Sequence, residues 1–502
     1  MAEDDEGVSS SADIDEEMIF AIEDGDGEEG TVAQPCISRV SVSRLFGRYS
    51  YVLPVPTENR EPGRLMLLHG ENGSGKTTIL KLIWNILSTA EDRGHKSAVA
   101  RTPFHRFEIL FSDGRVVIAE KESKRLVGSF TLTVSGPGVK PATARFVVDK
   151  SMSVTPTIDY GFGAEQSPYV VKDSATGRLI FVEPRDKEHL ELEGGISPTR
   201  EVMGFLRDLS TKPPVLLADD RGLHSDHRIT RARKSARTND SERLTPTERI
   251  AEELQAALLR LNDRVLALTS KGQVSGFREE ASIYIDVLRR LGTARVNSPQ
   301  QSLDVDGSHV EQLIQNLSNE VPRFAEFGLV SKFDPEAIRG LLDRVPPISQ
   351  QAAYDIILPY LESLQARLTA LNEAERLIRS FVTHANKYLT DKNLVFGAGQ
   401  GFRVISDYEA NRVLRPLNLS SGERQMLLLL CNAILSRWES RLFLIDEPEL
   451  SLGVIWQRRI LSSLLDLTDD TNIQFIVATH SIEMATANSS SLVRLVDIGG
   501  EF

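Results

Sequence analysis

The apolar positions along this chain change period several times, and each change predicts an element. CISRVSVSRLFGRYSYVLPV is rich in β-branched and aromatic residues with partial alternation, and GRLMLLHG ends a short buried strand on glycine. A helix should follow: in TTILKLIWNILST, Ile79, Leu82, Ile83, Ile86 and Leu87 recur at the spacing that lines one helical face. Residues 100–185 turn strand-like again, as in RFEILFSDGRVVIAEKES and SFTLTVSG, with Asp113-Gly114 as a hairpin signal. PPVLLADDRGL is another short strand, and the polar, basic stretch HRITRARKSARTNDSER after it breaks the pattern.

From there to about residue 390 the period is helical. Thr245 and Glu248 have capping-box spacing, Pro246 takes the first helical position, and Ile250, Leu254, Leu258, Leu261, Val265 and Leu268 form the apolar face. A second, longer helix carries Leu361, Leu364, Leu368, Leu371, Ile378, Phe381, Ala385 and Tyr388 in a near-heptad interrupted by Glu375, and Pro359 kinks or starts it. The two helices either pair as a short arm or pack within a bundle; residues 351–389 reach at most roughly 60 Å. Beyond 393 the strands in NLVFGAGQGFRVISD, RLFLI and IQFIVATH alternate with helices around MLLLLCNAIL and VIWQRRILSSLLDL. Such alternation predicts a mainly parallel sheet covered on both faces. The fold class is α/β, with an antiparallel β subdomain and a helical insertion between the two ends of the chain that build the sheet.

The net charge of −13 sits in the first 30 residues, which hold 13 acids and no Lys or Arg; the remainder balances at 58 acids against 58 bases. That opening stretch lacks the apolar content to offset the entropy of ordering and reads as a disordered tail. With 41% hydrophobic content the 502 residues have room for roughly two to four domains. No basic segment leading into an apolar run marks a secretory signal, and no apolar run reaches membrane-spanning length. A cytoplasmic protein with no membrane partner is expected. Cys36 and Cys431 are too few for a disulfide framework or a four-ligand zinc site and read as core thiols.

GENGSGKT, Gly70 to Thr77, fits the phosphate-loop pattern between a strand and a helix. Its glycines let backbone N–H groups wrap phosphates, the helix N-terminus adds positive potential, Lys76 reaches the outer phosphates, and the Thr77 hydroxyl ligates Mg2+. Gly70, Asn72, Gly73, Ser74, Gly75, Lys76, Thr77 and Thr78 are the candidate phosphate contacts. RLFLIDEPEL ends an apolar strand on Asp446, a candidate Mg2+ ligand, and Glu447, a candidate for polarising the attacking water. His480, closing FIVATHS at another strand end, is a candidate sensor of the γ-phosphate. In NLSSGERQ, Ser420 and Glu423 have capping-box spacing, while Ser420, Ser421 and Gly422 at a helix N-terminus offer a second anion site.

The four stretches Gly70–Thr77, LSSGE (Leu419–Glu423), LFLIDEPE (Leu442–Glu449) and ATHS (Ala478–Ser481) resemble, in order and local spacing, the ABC-type ATPase heads. The resemblance implies a P-loop NTPase fold, ATP and Mg2+ as ligands, and a head that works as a dimer or higher oligomer. It also implies that Ser420 and Gly422 of one subunit close on ATP held at Lys76 of another. Transporter ATPases place the signature far closer to the P-loop than it lies here. The insertion is more similar to the branch with SMC, RecF and OLD-type proteins, though too short for a chromosome-length coiled coil and without zinc-hook cysteines. Too few residues follow His480 for the Toprim nuclease of OLD-type proteins. RLFGRYSYVLPV and DEPELSLGVIWQ are similar to stand-alone bacterial AAA-family ATPases of phage-defence systems such as Septu and PARIS. Gly453 stands where that group usually has His, and Asp220-Arg221 where it tends to have Gln-Arg.

The expected organisation is an acidic tail over 1–33, an ATPase lobe with P-loop and β subdomain over 34–225, a helical insertion with its basic linker over 226–390, and a second ATPase lobe over 391–502. The expected function is ATP hydrolysis at sites shared between subunits, in control of a separately encoded effector in anti-phage defence. Two alternatives stand beside it: a DNA-maintenance ATPase of the RecF or SMC kind, and an ATP-binding scaffold that hardly hydrolyses. Nucleic acid would be met through Arg228, Arg231, Arg233, Lys234 and Arg237.

Overall fold

The computed structural model describes residues 35–58, 61–90, 94–122, 125–154, 170–172, 179–181, 198–209, 212–218, 223–224, 245–293, 307–409 and 412–500. The acidic tail, the Asp220-Arg221 pair and the basic group Arg228, Arg231, Arg233, Lys234 and Arg237 lie outside them.

In chain order the first part runs β1 (Ile37–Leu45), β2 (Tyr49–Pro54), the short hairpin β3 (Thr57–Glu58) and β4 (Glu61–Pro62), β5 (Leu65–His69), α1 (Lys76–Leu87) and α2 (His95–Arg101). There follow β6 (Arg106–Phe111), β7 (Val116–Lys121), β8 (Phe130–Gly136), β9 (Val139–Phe146), the pair β10 (Val170–Lys172) and β11 (Leu179–Phe181), α3 (Pro198–Leu209), β12 (Val215–Leu217) and β13 (Leu223–His224). The helical middle holds α4 (Pro246–Thr293), α5 (Gly307–Ala325), α6 (Pro335–Leu342) and α7 (Gln350–Asn386). The last part is β14 (Lys392–Gly397), β15 (Gly401–Ser406), β16 (Val413–Leu414), α8 (Ser421–Glu439), β17 (Leu442–Asp446), α9 (Val454–Leu467), β18 (Gln474–Thr479), α10 (Ile482–Ala487) and β19 (Leu492–Arg494).

The central sheet has the order β13-β12-β17-β18-β5-β19; every neighbouring pair is parallel except β12 with β13. Its strands are continuous apolar runs because both faces are covered. Successive side chains go to opposite sides. Leu65, Leu67, Phe443, Ile445, Phe475 and Val477 enter a core shared with α8 and the helical middle, whereas Met66, Leu68, Leu444, Ile476 and Ala478 enter a second core with α1 and the antiparallel sheet. That antiparallel sheet, β2-β1-β6-β7-β8-β9, contains the expected hairpin at Asp113-Gly114 between β6 and β7.

The capping box at Thr245 is present: its N–H donates to Glu248 Oε2 at 2.8 Å, and Glu248 N–H donates to Thr245 Oγ1 at 3.3 Å. Of the two packing modes open to the long helices, the described side chains adopt the bundle. Leu254 and Leu261 of α4, Ile314 of α5 and Leu368 and Leu371 of α7 share one core with Leu427 and Cys431 of α8. Glu375, which breaks the heptad of α7, is buried and paired with Arg323 of α5 at 3.1 Å and with Arg379 at 2.5 Å.

Neither α2 nor α3 is among the elements expected above. α3 was legible in principle, since Val202, Phe205, Leu206 and Leu209 recur at helical spacing and are buried together with Met203. α2 is held by polar contacts: the Lys96 ammonium donates to the carbonyls of Asn85, Ile86 and Ser88 at the end of α1. Lys121 does the same for α2, donating to Val99 and Ala100 carbonyls at 2.7 and 2.8 Å, and burial pushes its ammonium down to about 7. Cys431 is buried as expected of a core thiol, and Cys36 is half-buried just before β1.

Candidate functional site

The loop from Gly70 to Gly75 leaves the C-terminal end of β5 and enters α1. Gly75 sits at φ 96°, and a Cβ there would lie 2.5 Å from the Leu45 side chain, so both backbone and space demand glycine. As the cap of α1 it brings no side-chain acceptor, which leaves the first-turn N–H groups available to an anion. Tyr51 of β2 braces the loop by donating its hydroxyl to the Ser74 carbonyl at 3.0 Å. Asn72 and Gly73 are exposed, while Ser74, Thr77 and Thr78 are half-buried. The Lys76 ammonium folds back over the loop and donates to the carbonyls of Gly70 at 2.7 Å and Glu71 at 3.0 Å. Burial lowers its pKa, and the carboxylates of Glu447, Glu449 and Asp446 oppose that shift.

β18 lies between β5 and β17, and its register sets Asp446 opposite Ala478 and His69 opposite Thr479. The residues proposed for chemistry therefore meet at the C-terminal edge of three adjacent parallel strands, where open parallel sheets present their ligand sites. Thr77 Oγ1 donates to Asp446 Oδ1 at 3.0 Å. Glu447 turns sharply, with φ 47°, and its N–H donates to the Ala478 carbonyl at 2.9 Å. His480 Nδ1 lies 3.5 Å from Glu447 Oε1 and 3.3 Å from Glu449 Oε1. Lys76, Thr77, Asp446, Glu447 and His480 thus form one group.

Three residues beside this group escape sequence reasoning. Glu449 is a buried acid two positions past Glu447; the second acid of DEPE is its only trace in the sequence. His69 ends the P-loop strand, and its pKa is lowered by burial and then by Lys76 and Arg494. Tyr51 reads as an ordinary strand aromatic, and burial pushes its hydroxyl up to about 12.

Ser420, Ser421 and Gly422 make different contacts. The capping box forms, with Glu423 N–H donating to Ser420 Oγ at 3.2 Å and Ser420 N–H donating to Glu423 Oε2 at 2.7 Å. Lys392, at the start of β14, adds its ammonium to Glu423 Oε1 at 2.9 Å. Burial acts to raise the Glu423 pKa, but Lys392 and the Ser420 N–H outweigh it and hold the carboxyl below its usual range. Ser420 and Ser421 are exposed, while Gly422 is buried. A Cβ on Gly422 would lie 2.7 Å from the Ser451 carbonyl oxygen and 3.1 Å from the Trp456 ring. Gly453, exposed, is the cap of α9 with φ −66°, a conformation open to other residues.

Residues 294–484 match the family model described as "AAA domain, putative AbiEii toxin, Type IV TA system". The molybdenum import ATP-binding protein ModC of Vibrio parahaemolyticus is 32% identical over 103 residues, 19% of this chain and 27% of that protein. The lipoprotein-releasing system ATP-binding protein LolD of a Ruegeria species is 34% identical over 77 residues, 15% of this chain and 33% of that protein. The chain thus spans about a third or less of the curated relatives it matches. These similarities support an ATP-binding core of the ABC and AAA kind.

Among solved structures, the Smc head domain of Pyrococcus furiosus with an extended coiled coil, bound to the C-terminal domain of ScpA, is 13% identical with a TM-score of 0.35. The alignment covers 93% of this chain and 96% of that one. The Smc head with a coiled coil and joint from Pyrococcus yayanosii is 15% identical with a TM-score of 0.33, covering 92% and 97%. Among the described residues no helix is long and apolar enough to cross a membrane.

Proposed function

We propose that this chain is an Mg2+-dependent ATPase whose sites are completed by the signature loop of a second copy. The observation that carries the reading is the 3.0 Å contact between Thr77 and Asp446, which joins the P-loop to an acid from the far end of the sequence. Hydroxyl and carboxylate oxygens in direct contact are hard donors, and magnesium characteristically takes one or two protein oxygens alongside phosphate oxygens and water. The pair fits that ion, which when bound would neutralise phosphate charge.

The chain's own residues supply the rest. Backbone N–H groups of Gly73 to Lys76 hold phosphate oxygens, and the Lys76 ammonium moves from the Gly70 and Glu71 carbonyls to the outer phosphates. Glu447 orients a water and takes its proton, beside His480. The exposed Ser420 and Ser421, at the capped N-terminus of α8, have hydroxyl groups available to a nucleotide held by another copy. The effector role draws on the resemblance of RLFGRYSYVLPV and DEPELSLGVIWQ to stand-alone ATPases of phage-defence systems, while the family match over residues 294–484 supports the ATPase core. On this reading nucleotide state governs the grip on a separately encoded protein.

Turnover and capture test it together. Glu447→Gln is expected to bind ATP and to hydrolyse it at least about a hundredfold more slowly than wild type. Lys76→Ala is expected to lose ATP binding. Equal rates for wild type and Glu447→Gln would leave that acid no catalytic role. Glu447→Gln loaded with ATP should retain an effector on affinity capture that Lys76→Ala does not; equal capture by both removes the regulatory role, and captured nucleic acid alone replaces it with the DNA-maintenance role.

A further inference from the structure

Glu449 has no chemical task in the mechanism above, yet its contacts are unusually concentrated. One oxygen, Oε1, accepts from three consecutive residues at the end of β18 and beyond: Thr479 Oγ1 at 2.6 Å, the His480 N–H at 2.8 Å and the Ser481 N–H at 3.1 Å. The same oxygen lies 3.3 Å from His480 Nδ1, and that ring nitrogen lies 3.5 Å from Glu447 Oε1. The other oxygen, Oε2, is buried without a hydrogen-bond partner among the described residues. Placing a carboxylate in a site only 5% exposed is costly unless it is paired and hydrogen-bonded, and here, among the described residues, the compensation comes from residues 479–481 alone.

Counter-charge for α10 does not account for this arrangement. That helix has six residues and is already capped by Ser481, whose hydroxyl accepts from Met484 N–H at 3.1 Å. Glu449 is itself fixed by a tight turn: Leu450 N–H donates to the Glu447 carbonyl at 3.2 Å, and Leu452 N–H to the Glu449 carbonyl at 2.9 Å. Glu447 and Ser451 within it both hold left-handed backbone, a conformation that persists only where the surroundings over-determine it. The turn after β17 and the turn after β18 are therefore joined through one carboxylate.

Resting on the reading that Glu447 activates water, we infer that Glu449 is a positioning residue for hydrolysis: it fixes the backbone of His480 and so sets where the His480 ring stands relative to Glu447. Phosphate binding is the work of the loop between β5 and α1. Loss of the clamp therefore falls on the chemical step and spares affinity, since misplacing a group near the reacting atoms costs rate.

Steady-state ATPase kinetics of the full chain test this. Glu449→Ala should lower kcat about tenfold or more with KM for ATP within about twofold. Glu449→Gln keeps a carbonyl acceptor for the three donors and should recover most of the rate. Because Glu449 acts through His480, the Glu449→Ala/His480→Ala double variant should be no slower than His480→Ala alone. A KM change as large as the kcat change, a Gln variant as slow as the Ala variant, or losses that multiply in the double variant would overturn the inference. Should Glu449→Ala fail to fold, the near-isosteric Thr479→Val removes one donor and enters the same cycle with His480→Ala. Lys76→Ala, assayed in parallel, separates the two layers. If it turns over as fast as wild type, the ATPase reading falls and this inference with it; if it is inactive while the Glu449 variants match wild type, only the positioning role falls.

Discussion

Gly422 shows how one residue can answer to two constraints. The resemblance to ABC-type heads gives it a place against a partner's nucleotide. The structure adds a neighbour in its own subunit, the Ser451 carbonyl, which stands where a Cβ would have to go. Gly422→Ala is accordingly expected to cost about 1–3 kcal/mol of stability in the monomer without ATP, as overpacked sites do. Urea unfolding of wild type and variant checks it; an unchanged midpoint would leave the glycine with its intersubunit role alone. The loop between β5 and α1 was legible in the sequence because its path is written in backbone conformation, and backbone conformation dictates which positions must be glycine. Glu449 was not, because its role arises from donors at 479–481 that only strand pairing brings to it.

At the scale of elements, α7 carries the clearest conflict between pattern and packing. Its heptad stripe was readable, and so was its interruption at Glu375. One partner, Arg379, stands four residues on in the same helix; the other, Arg323, belongs to another helix whose packing the sequence does not specify. The cluster is asymmetric: Glu375 is buried, with 2% of its side chain exposed, while Arg323 and Arg379 are 47% and 39% exposed. Removing both arginines strands a carboxylate in the core, whereas removing the carboxylate leaves two arginines that can turn to water. Arg323→Ala/Arg379→Ala should therefore cost about 3–5 kcal/mol, and Glu375→Leu, which restores the apolar stripe, should come within about 1 kcal/mol of wild type. Denaturant midpoints read both values, and the reverse ranking would contradict the burial argument. The short α2 escaped detection for a related reason, since lysine carbonyl caps leave no apolar period to find.

For the molecule as a whole, the alternation of strands and helices in the last part predicted a covered parallel sheet, and the sheet has that form. Its strand order was out of reach, because interleaving β18 between β5 and β17 is decided by which faces close the two cores and not by any local signal. Beside the signature loop and the turn after β17, Leu417, Val454 and Ile455 are 56%, 51% and 64% exposed. A second copy closing over Ser420 and Ser421 would cover them. Ile455→Glu, in a Glu447→Gln background, is expected to weaken ATP-dependent association about tenfold while ATP binding by the monomer stays within about twofold; analytical ultracentrifugation with and without ATP measures it, and unchanged association would place the interface elsewhere.

The position of β5 also has a consequence for synthesis. Both its neighbours in the sheet, β18 and β19, lie late in the chain, and Arg64 just before it bonds to Thr468, 404 residues away. At about 5–20 residues per second a ribosome takes roughly 20–80 s to cover that interval. Throughout it β5 has neither of its sheet neighbours, so its apolar edges stay open, and the group of residues at its C-terminal end comes together only after β18 has been made.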